Sequence, residues 1–112
     1  MVILAFCLGH WFLAAFVQVF FLHRYSSHQQ FVMSPRVERF FHVLTWVGMG
    51  SSYLPPRAYA IIHRAHHAYS DTPKDPHSPS NHRWWVPGYM LETRRNFDNI
   101  ATRRVVPEER FE

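Results

Sequence analysis

The sequence predicts an all-α protein in which one integral membrane helix extends into a helical, histidine-bearing region on the cytoplasmic side. Three observations predict it. Residues 1–22 carry no Asp, Glu, Lys or Arg, apolar residues recur at helical spacing over residues 35–50, and histidines recur at helical spacing after both segments. A chain of 112 residues has room for one small domain.

The first helix is predicted to cross a membrane. At 1.5 Å per residue, residues 1–22 reach about 33 Å, the thickness of a bilayer core. Their apolar side chains cover every face, and a chain this short offers no large protein core to bury them. A signal peptide is the alternative, but it would carry a basic start, a shorter apolar segment and a small-residue cleavage site.

Charge predicts the orientation of that helix. No Lys or Arg precedes it, and the first five of the arginines that follow it lie at positions 24, 36, 39, 57 and 64. Because cytoplasmic flanks are enriched in Lys and Arg, residues 23 onward are predicted to lie in the cytoplasm. The scattered arginines, interrupted by Asp and Glu, do not favour nucleic-acid binding. The single cysteine, Cys7, excludes a disulfide framework or a cysteine zinc motif within the chain.

A second helix is predicted from Ser34 as N-cap and Pro35 as first position to Gly48 and Gly50. Its apolar stretch of about 14 residues is shorter than the roughly 20 that a bilayer requires. If the two groups of histidines serve one site, they must lie on the same side of the membrane, and a crossing between them would separate them. We therefore predict an interfacial amphipathic helix; a short transmembrane segment is the alternative.

A third helix is predicted from Pro56 to about Ser70, followed by a loop rich in Pro, Asp and Ser. Residues 83–90, "RWWVPGYM", have the pairing of tryptophan with arginine that is typical of interfacial anchors. Residues 91–112 are polar and predicted to be a helix broken at Pro107. The predicted segments are 1–29, 30–55, 56–80 and 81–112.

Five histidines form the candidate metal site. On a helix, His63, His66 and His67 fall within a stripe about 100° wide, in which the adjacent pair diverges. By the same α-helical arithmetic His23 and His28, five residues apart, diverge by about 140°. Divergence within each group predicts a dinuclear site, with ligands of each group directed to different ions. Imidazole suits Zn, Cu, Fe and Ni alike, so the ligands do not name the metal.

Other residues are candidates to support these ligands. Ligand histidines usually donate their second ring N–H to a carboxylate or a carbonyl, and Asp71 and Asp75 follow the second group closely. Both aspartates are equally typical of turns beside proline, here Pro73 and Pro76. Tyr59 extends the stripe of His63 by one helical turn.

Two motifs resemble those of the membrane fatty-acid desaturases. "HRYSSH", residues 23–28, resembles their HXXXXH box, and "HRAHHAYSDTPKDPHS", residues 63–78, resembles their HXXHH box with its trailing D-x-x-x-D-P-H. The order, the spacing and the preceding apolar helix agree, and the resemblance covers residues 1 to about 95. The HR-x-HH…DPH combination is similar to the acyl-CoA (stearoyl-CoA type) branch.

This resemblance implies a partial desaturase fold with a cytoplasm-facing di-iron centre that uses O2 and two electrons to introduce a double bond into an acyl chain. The implied iron ligands are His23, His28, His63, His66 and His67, with no catalytic residue beyond them. His77 matches a position that supports the site, and Tyr59 stands where the family often has tryptophan.

The resemblance also implies partners: a fatty acyl substrate, O2, membrane lipid, and an electron donor of the ferredoxin or cytochrome b5 type. Arg57, Arg64 and Lys74 are candidates to contact a phosphate of the acyl carrier. A role for these three charges at the membrane surface is the alternative.

The chain departs from the family pattern after His82, where no further histidine occurs and the third histidine box is absent. Five histidines cannot fill the coordination of two iron ions. We therefore expect an N-terminal fragment of a desaturase that is inactive alone. The alternatives are a hydroxylase or other oxygenase on the same histidine scaffold, and a non-enzymatic membrane protein that binds metal.

Overall fold

Helices account for the regular secondary structure of the computed structural model, which describes residues 1–82 and 85–112. No strand occurs in that part of the chain, so the prediction of an all-α fold is confirmed there. The chain forms two compact units, residues 1–56 and 57–112.

The first unit begins with helix α1 (Val2–Val17), which continues without interruption into a π-helical segment (Gln18–Ser27). The predicted extension of the first helix into the histidine-bearing region is confirmed, since the π-helical segment ends at Ser27, with His28 as its C-cap residue. Among the described residues, Val2–Ser27 is the one helix long and apolar enough to cross a membrane, judged by length and composition. Most of its apolar side chains are exposed, Val2 and Ile3 to 83% and 80%.

Helix α2 (Pro35–Met49) begins where the sequence predicts, with Pro35 as its first residue. Ser34 is the N-cap residue, but its side chain makes no capping hydrogen bond. The helix ends at Gly50, whose φ of 52° lies in the left-handed region that glycine adopts without a Cβ penalty. A 3₁₀ turn (Gly50–Ser52) follows it directly.

Helix α2 packs antiparallel against α1 and the π-helical segment. The ring of Phe41 lies 5.0 Å from that of Phe20 and 6.4 Å from that of Phe16. Further along α2, a Cβ on Gly48 would lie 3.2 Å from the Cγ of Leu13 and 3.6 Å from Val17. Later residues of α2 therefore meet earlier residues of α1, and Gly48 allows the two backbones to approach closely.

The second unit comprises most of helix α3 (Pro56–Tyr69), the loop of residues 70–82, and helix α4 (Val86–Ala101). Two 3₁₀ turns (Pro79–His82 and Glu109–Phe111) lie in the loop and near the end of the chain. Helix α3 begins at the predicted proline and ends one residue before the predicted Ser70.

Helix α4 differs from its prediction. It begins at Val86, with a proline in its first turn, inside the stretch interpreted as an interfacial anchor; it ends at Ala101 rather than breaking at Pro107. Proline is favoured in a first turn because the N–H it lacks has no helical partner there. The chain leaves the helix at Arg103, whose φ of 57° is left-handed. Arg83 and Trp84, which carry part of the anchor prediction, lie outside the described residues.

Residues 108–112 attach to α3. The Tyr69 hydroxyl donates to a Glu108 carboxylate oxygen at 2.5 Å, and Arg110 donates to both Glu108 and Tyr69. Phe111 is 6% exposed, and its ring meets the edge of the Tyr69 ring at 6.0 Å.

Candidate metal centre

His23 and His28 lie together on the π-helical segment. The backbone N–H of His28 donates to the carbonyl of His23 at 3.0 Å, so one turn of backbone separates the two residues. Their ring centroids are 4.6 Å apart at an interplanar angle of 77°. The predicted divergence of about 140° is therefore wrong, because it assumed α-helical geometry and the i→i+5 geometry brings residues five apart onto one face.

A buried serine hydroxyl lies within the same turn. Ser27 is 3% exposed, and its Oγ donates to the carbonyl oxygen of Leu22 at 2.8 Å, five residues earlier. Leu22 is fully buried. This bond therefore fixes the end of the π-helical segment immediately before His28.

On α3, His63 and His67 bring their Nε2 atoms to 3.0 Å of each other, with ring centroids 4.5 Å apart. Bonds from a divalent ion such as zinc to imidazole nitrogen are about 2.0–2.1 Å, so two nitrogens at right angles around one ion lie about 3 Å apart. The pair therefore has the spacing of neighbouring ligands of one metal ion. The Tyr59 ring stacks on His63 with centroids 5.7 Å apart and an interplanar angle of 9°.

His66 turns away from that pair, toward Asp75. Its Nδ1 lies 2.9 Å from both carboxylate oxygens of Asp75, and its ring centroid lies 6.0 Å from that of His67. An ionised carboxylate only accepts hydrogen bonds, so Nδ1 carries the proton and donates it. The lone pair then lies on Nε2, the tautomer of a metal ligand whose other nitrogen is held by a carboxylate. The donor set of α3 thus fits a metal ion.

The carboxylate of Asp75 organises the loop as well as His66. It is fully buried and accepts the backbone N–H of Asp71 at 3.1 Å and of His77 at 2.9 Å. Burial by itself would raise the pKa of Asp75, but the hydrogen bonds from His66 and the two backbone amides outweigh it and lower the pKa. Asp75 is therefore ionised at neutral pH.

Asp71, the other predicted support, contributes through its backbone. Its side chain is exposed, its N–H donates to Asp75, and its φ of 60° turns the chain as it leaves α3. The alternative interpretation of Asp71 as a turn residue agrees with this geometry, since aspartate tolerates the left-handed conformation better than most residues.

His77 lies between Asp75 and α4. Its ring centroid is 5.8 Å from that of His66, its Nε2 lies 3.1 Å from the Tyr89 hydroxyl, and its Nδ1 lies 3.3 Å from Oγ1 of Thr93. Burial lowers the pKa of His77, and the neighbouring His66 lowers it further, whereas Asp75 opposes the shift. The imidazole of His77 is therefore held neutral beside His66.

Several residues of α4 hold this loop and were not predicted from the sequence. Besides Tyr89 and Thr93, the Asn96 side-chain amide donates to the carbonyl of Pro76 at 3.1 Å. From within the loop, the Asn81 amide donates to the carbonyl of Asp75 at 3.3 Å. Tyr89, Thr93 and Asn96 recur at i, i+4 and i+7, a polar stripe that would have revealed one helical face if α4 had been predicted to begin earlier.

The three candidate phosphate-binding residues make contacts inside the second unit. Arg57 pairs with the carboxylate of Glu112, and Arg64 donates through Nε and Nη2 to the carbonyl of Phe111 at 3.1 and 2.6 Å. The Lys74 ammonium lies 5.8 Å from the centroid of the Tyr69 ring. Contact between an arginine and a substrate phosphate would therefore compete with residues 111–112.

Comparison with known families identifies the chain. The family model for fatty acid desaturases matches residues 1–106, nearly the whole sequence. The chain belongs to the fatty acid desaturase family. The resemblance seen in the two histidine motifs is thus confirmed at the level of the desaturase family, whereas the acyl-CoA branch stays a prediction.

Several curated proteins are similar to this chain. A hex-5-enoyl-(acyl-carrier protein) acetylenase of Moorena producens is 36% identical over 73 residues, covering 65% of this chain and 22% of the relative. An acyl-CoA C20 Delta5-desaturase of Anemone leveillei is 36% identical over 69 residues, 62% of this chain and 21% of the relative. A Delta-9 acyl-lipid desaturase 1 of Arabidopsis thaliana is 31% identical over 77 residues, 62% of this chain and 24% of the relative.

The aligned part spans less than a quarter of the length of each of these desaturase-family relatives. No solved structure matches the chain.

Proposed function

We propose that this chain is part of a membrane-bound, di-iron fatty acyl desaturase that uses O2 to introduce a double bond into an acyl chain. The observation that carries the proposal is the pair of His66 and Asp75, 2.9 Å apart, in a member of the desaturase family. A carboxylate that fixes the tautomer of an imidazole is the arrangement expected behind a metal ligand.

The proposal places α1 and the start of the π-helical segment in the membrane, with His23 and the later histidines of the two motifs at its cytoplasmic face. Support comes from the length and apolar character of Val2–Ser27 and from the exposure of its apolar side chains. A helix that is apolar on every face and exposed on most of them requires lipid or further protein around it. The arginines that follow it favour the cytoplasmic orientation.

The proposed iron ligands are His23, His28, His63, His66 and His67. Within each unit the geometry supports the assignment: the rings of one pair meet on the π-helical segment, and two Nε2 atoms lie 3.0 Å apart on α3. Two six-coordinate ions offer about twelve positions, so the proposal requires further ligands from outside these 112 residues. The activity proposed is accordingly that of a longer desaturase.

Bound iron would supply the activation of O2 as oxidant of the acyl chain, which a protein side chain alone does not provide. Asp75 keeps the proton of His66 on Nδ1, which leaves Nε2 of His66 without a proton. His77 stays neutral beside His66, so it adds no positive charge next to the proposed ligands. Removal of two hydrogens from adjacent acyl carbons, with two electrons from a ferredoxin or cytochrome b5 type donor and two protons from the solvent, would reduce O2 to two waters. Arg57, Arg64 and Lys74 remain the proposed contacts for a carrier phosphate.

The test measures bound iron in the purified protein, reconstituted in lipid, and compares the wild type with single-substitution variants. His63→Ala and His66→Ala should each lower bound iron, whereas His10→Ala, on the exposed surface of α1, should leave it unchanged. Iron retained by both variants of α3 would overturn the ligand assignment. Acyl products are analysed in the longer desaturase; a hydroxylated product in place of a double bond would identify a hydroxylase on the same scaffold.

A further inference from the structure

Helix α2 runs back along the apolar part of α1. Its middle, at Phe41, contacts Phe16 and Phe20, and its end, at Gly48, contacts Leu13. Leu13 lies ten residues before His23, so it is about 15 Å further along the helix. If His23 marks the membrane surface, Gly48 lies near the midplane of a hydrocarbon core about 30 Å thick.

The chain reverses at that depth. Gly50 has a φ of 52°, the 3₁₀ turn Gly50–Ser52 follows, and Tyr53 then lies beside the middle of α2 again. There the Tyr53 hydroxyl and the Nε2 of His42 are 3.0 Å apart. The turn therefore sends the chain back toward the end from which α2 came.

The composition of this hairpin suits hydrocarbon. Residues 40–56 contain no Asp, Glu, Lys or Arg, and the charges of α2 are confined to its first turns, at positions 36, 38 and 39. Four apolar side chains of α2 point outward, Phe40, Val43, Trp46 and Val47, each more than half exposed. Exposed apolar side chains also cover most of α1, against which α2 packs.

Three polar side chains within the hairpin, His42, Thr45 and Tyr53, are satisfied locally. His42 and Tyr53 pair with each other, and the hydroxyl of Thr45, fully buried, donates to the carbonyl of Phe41 at 2.7 Å. In hydrocarbon an unpaired polar group costs several kcal/mol, on the order of a lost hydrogen bond without water to replace it. Local pairing of this kind removes that cost.

We propose that residues 36–56 form a re-entrant hairpin, which enters the hydrocarbon beside α1, turns at Gly50–Ser52 near the midplane and returns to the same leaflet. The partner of its exposed face is the acyl-chain interior of the bilayer. This inference rests on the membrane insertion of α1 proposed above. A re-entrant hairpin places α2 within the hydrocarbon and still leaves both histidine motifs on one side of the membrane. A surface helix fails the first condition, and a full crossing fails the second.

The test uses the whole chain in sealed lipid vesicles, with Cys7→Ser as background. Ser34→Cys, before α2, and Ser51→Cys, in the turn, are each exposed to a bulky, membrane-impermeant maleimide from the outside and then, after lysis, from both sides. The hairpin predicts that Ser34→Cys is labelled from one side only and that Ser51→Cys is labelled from neither until detergent is added. Labelling of Ser51→Cys from the opposite side would mean a full crossing, and labelling as fast as Ser34→Cys would mean a surface helix; either overturns the hairpin.

Trp46 allows a second measurement of depth in the bilayer, and this one needs no cysteine in the turn. With the other tryptophans replaced by phenylalanine, its fluorescence should be quenched more by a label deep in the acyl chain than by one near the headgroup. Stronger quenching by the shallow label overturns the hairpin alone. If the protein is absent from the membrane fraction, both the hairpin and the proposed membrane insertion fail.

Discussion

Asp75 holds the imidazole of His66 through both carboxylate oxygens, each 2.9 Å from Nδ1, while two backbone amides hold Asp75 in turn. The orientation of one ring on α3 therefore depends on the whole loop that follows it.

Replacing Asp75 by alanine should weaken metal binding about 10- to 100-fold, the usual cost of losing a carboxylate behind a ligand histidine. Asp75→Asn should fall between wild type and alanine, because its amide oxygen still accepts from Nδ1 but carries no charge. Competition with a chelator of known affinity measures the change. Asp98→Ala, an exposed aspartate of α4, is the matched control and should bind metal as wild type does. Equal affinities for Asp75→Ala and Asp98→Ala would contradict the role of Asp75.

Deleting Ser26 should remove one residue from the π-helical segment and favour α-helical geometry there. His23 and the shifted His28 would then be four residues apart in sequence and about 40° apart around the helix. The present contact between their rings, with centroids 4.6 Å apart, would change. We expect bound metal to fall, because His28 would leave the position that the bond from Ser27 to Leu22 now fixes, while helix content measured by circular dichroism is kept. Gln18→Ala, at an exposed position of the same segment, retains the residue count and should keep its metal. Normal metal content in the deletion variant would show that the π geometry is dispensable.

Gly48 should tolerate alanine and reject leucine. A Cβ there lies 3.2 Å from Leu13, a contact that a small shift can relieve, and alanine favours a helix by about 1 kcal/mol over glycine. Leucine must separate α2 from α1 and should cost about 1–3 kcal/mol, as overpacking does. Thermal unfolding in detergent measures both. At Gly9, where a Cβ meets nothing within 4 Å, the same two substitutions should differ little; a loss at Gly9→Leu as large as at Gly48→Leu would argue against packing as the cause.

Acid should loosen residues 108–112 from α3. The hydrogen bond from Tyr69 lowers the pKa of Glu108, Arg110 lowers it further, and desolvation opposes them. A carboxyl whose pKa is lower in the folded state contributes stability above its unfolded pKa, about 4.3, and loses it as pH falls through the folded pKa. Because Glu108 is exposed, the effect is small.

Amide hydrogen exchange at Phe111, whose N–H donates to the carbonyl of Glu108, measures this loosening. Protection relative to a Glu109→Gln control at the same pH should fall below about pH 4.3. Glu108→Gln should show low protection throughout. Protection in the wild type that is unchanged down to pH 3, relative to that control, would dismiss the contribution of Glu108.

Much of the helical framework follows from local sequence. Pro35 and Pro56 mark the starts of α2 and α3, because proline is compatible with a first turn and excluded from a helix interior. The same rule applied to Pro87 would have placed the start of α4, but the paired tryptophans beside it favoured another interpretation. The end of α4 depends on the left-handed backbone of Arg103, for which an arginine gives no signal.

The site was predictable in its residue types but not in its local geometry. The separation of His66 from the pair of His63 and His67 followed from α-helical arithmetic, and α3 is an α-helix. The pairing of His23 with His28 did not, because nothing in "HRYSSH" distinguishes i→i+5 from i→i+4 hydrogen bonding. The choice of Asp75 over Asp71 as the buried acceptor depends on contacts with α4 that are distant in sequence.

The Asn96 amide donates a hydrogen bond to the carbonyl of Pro76, 20 positions earlier in the chain. This contact sets a minimum length for any synthetic copy of this motif. A peptide that stops after the second histidine motif would keep every imidazole of α3. It would lose the contacts from α4 that hold the loop of Asp75, on which the orientation of His66 depends. A designer who wishes to transplant this metal-binding unit into another scaffold should carry it as one block, through the final turn of α4.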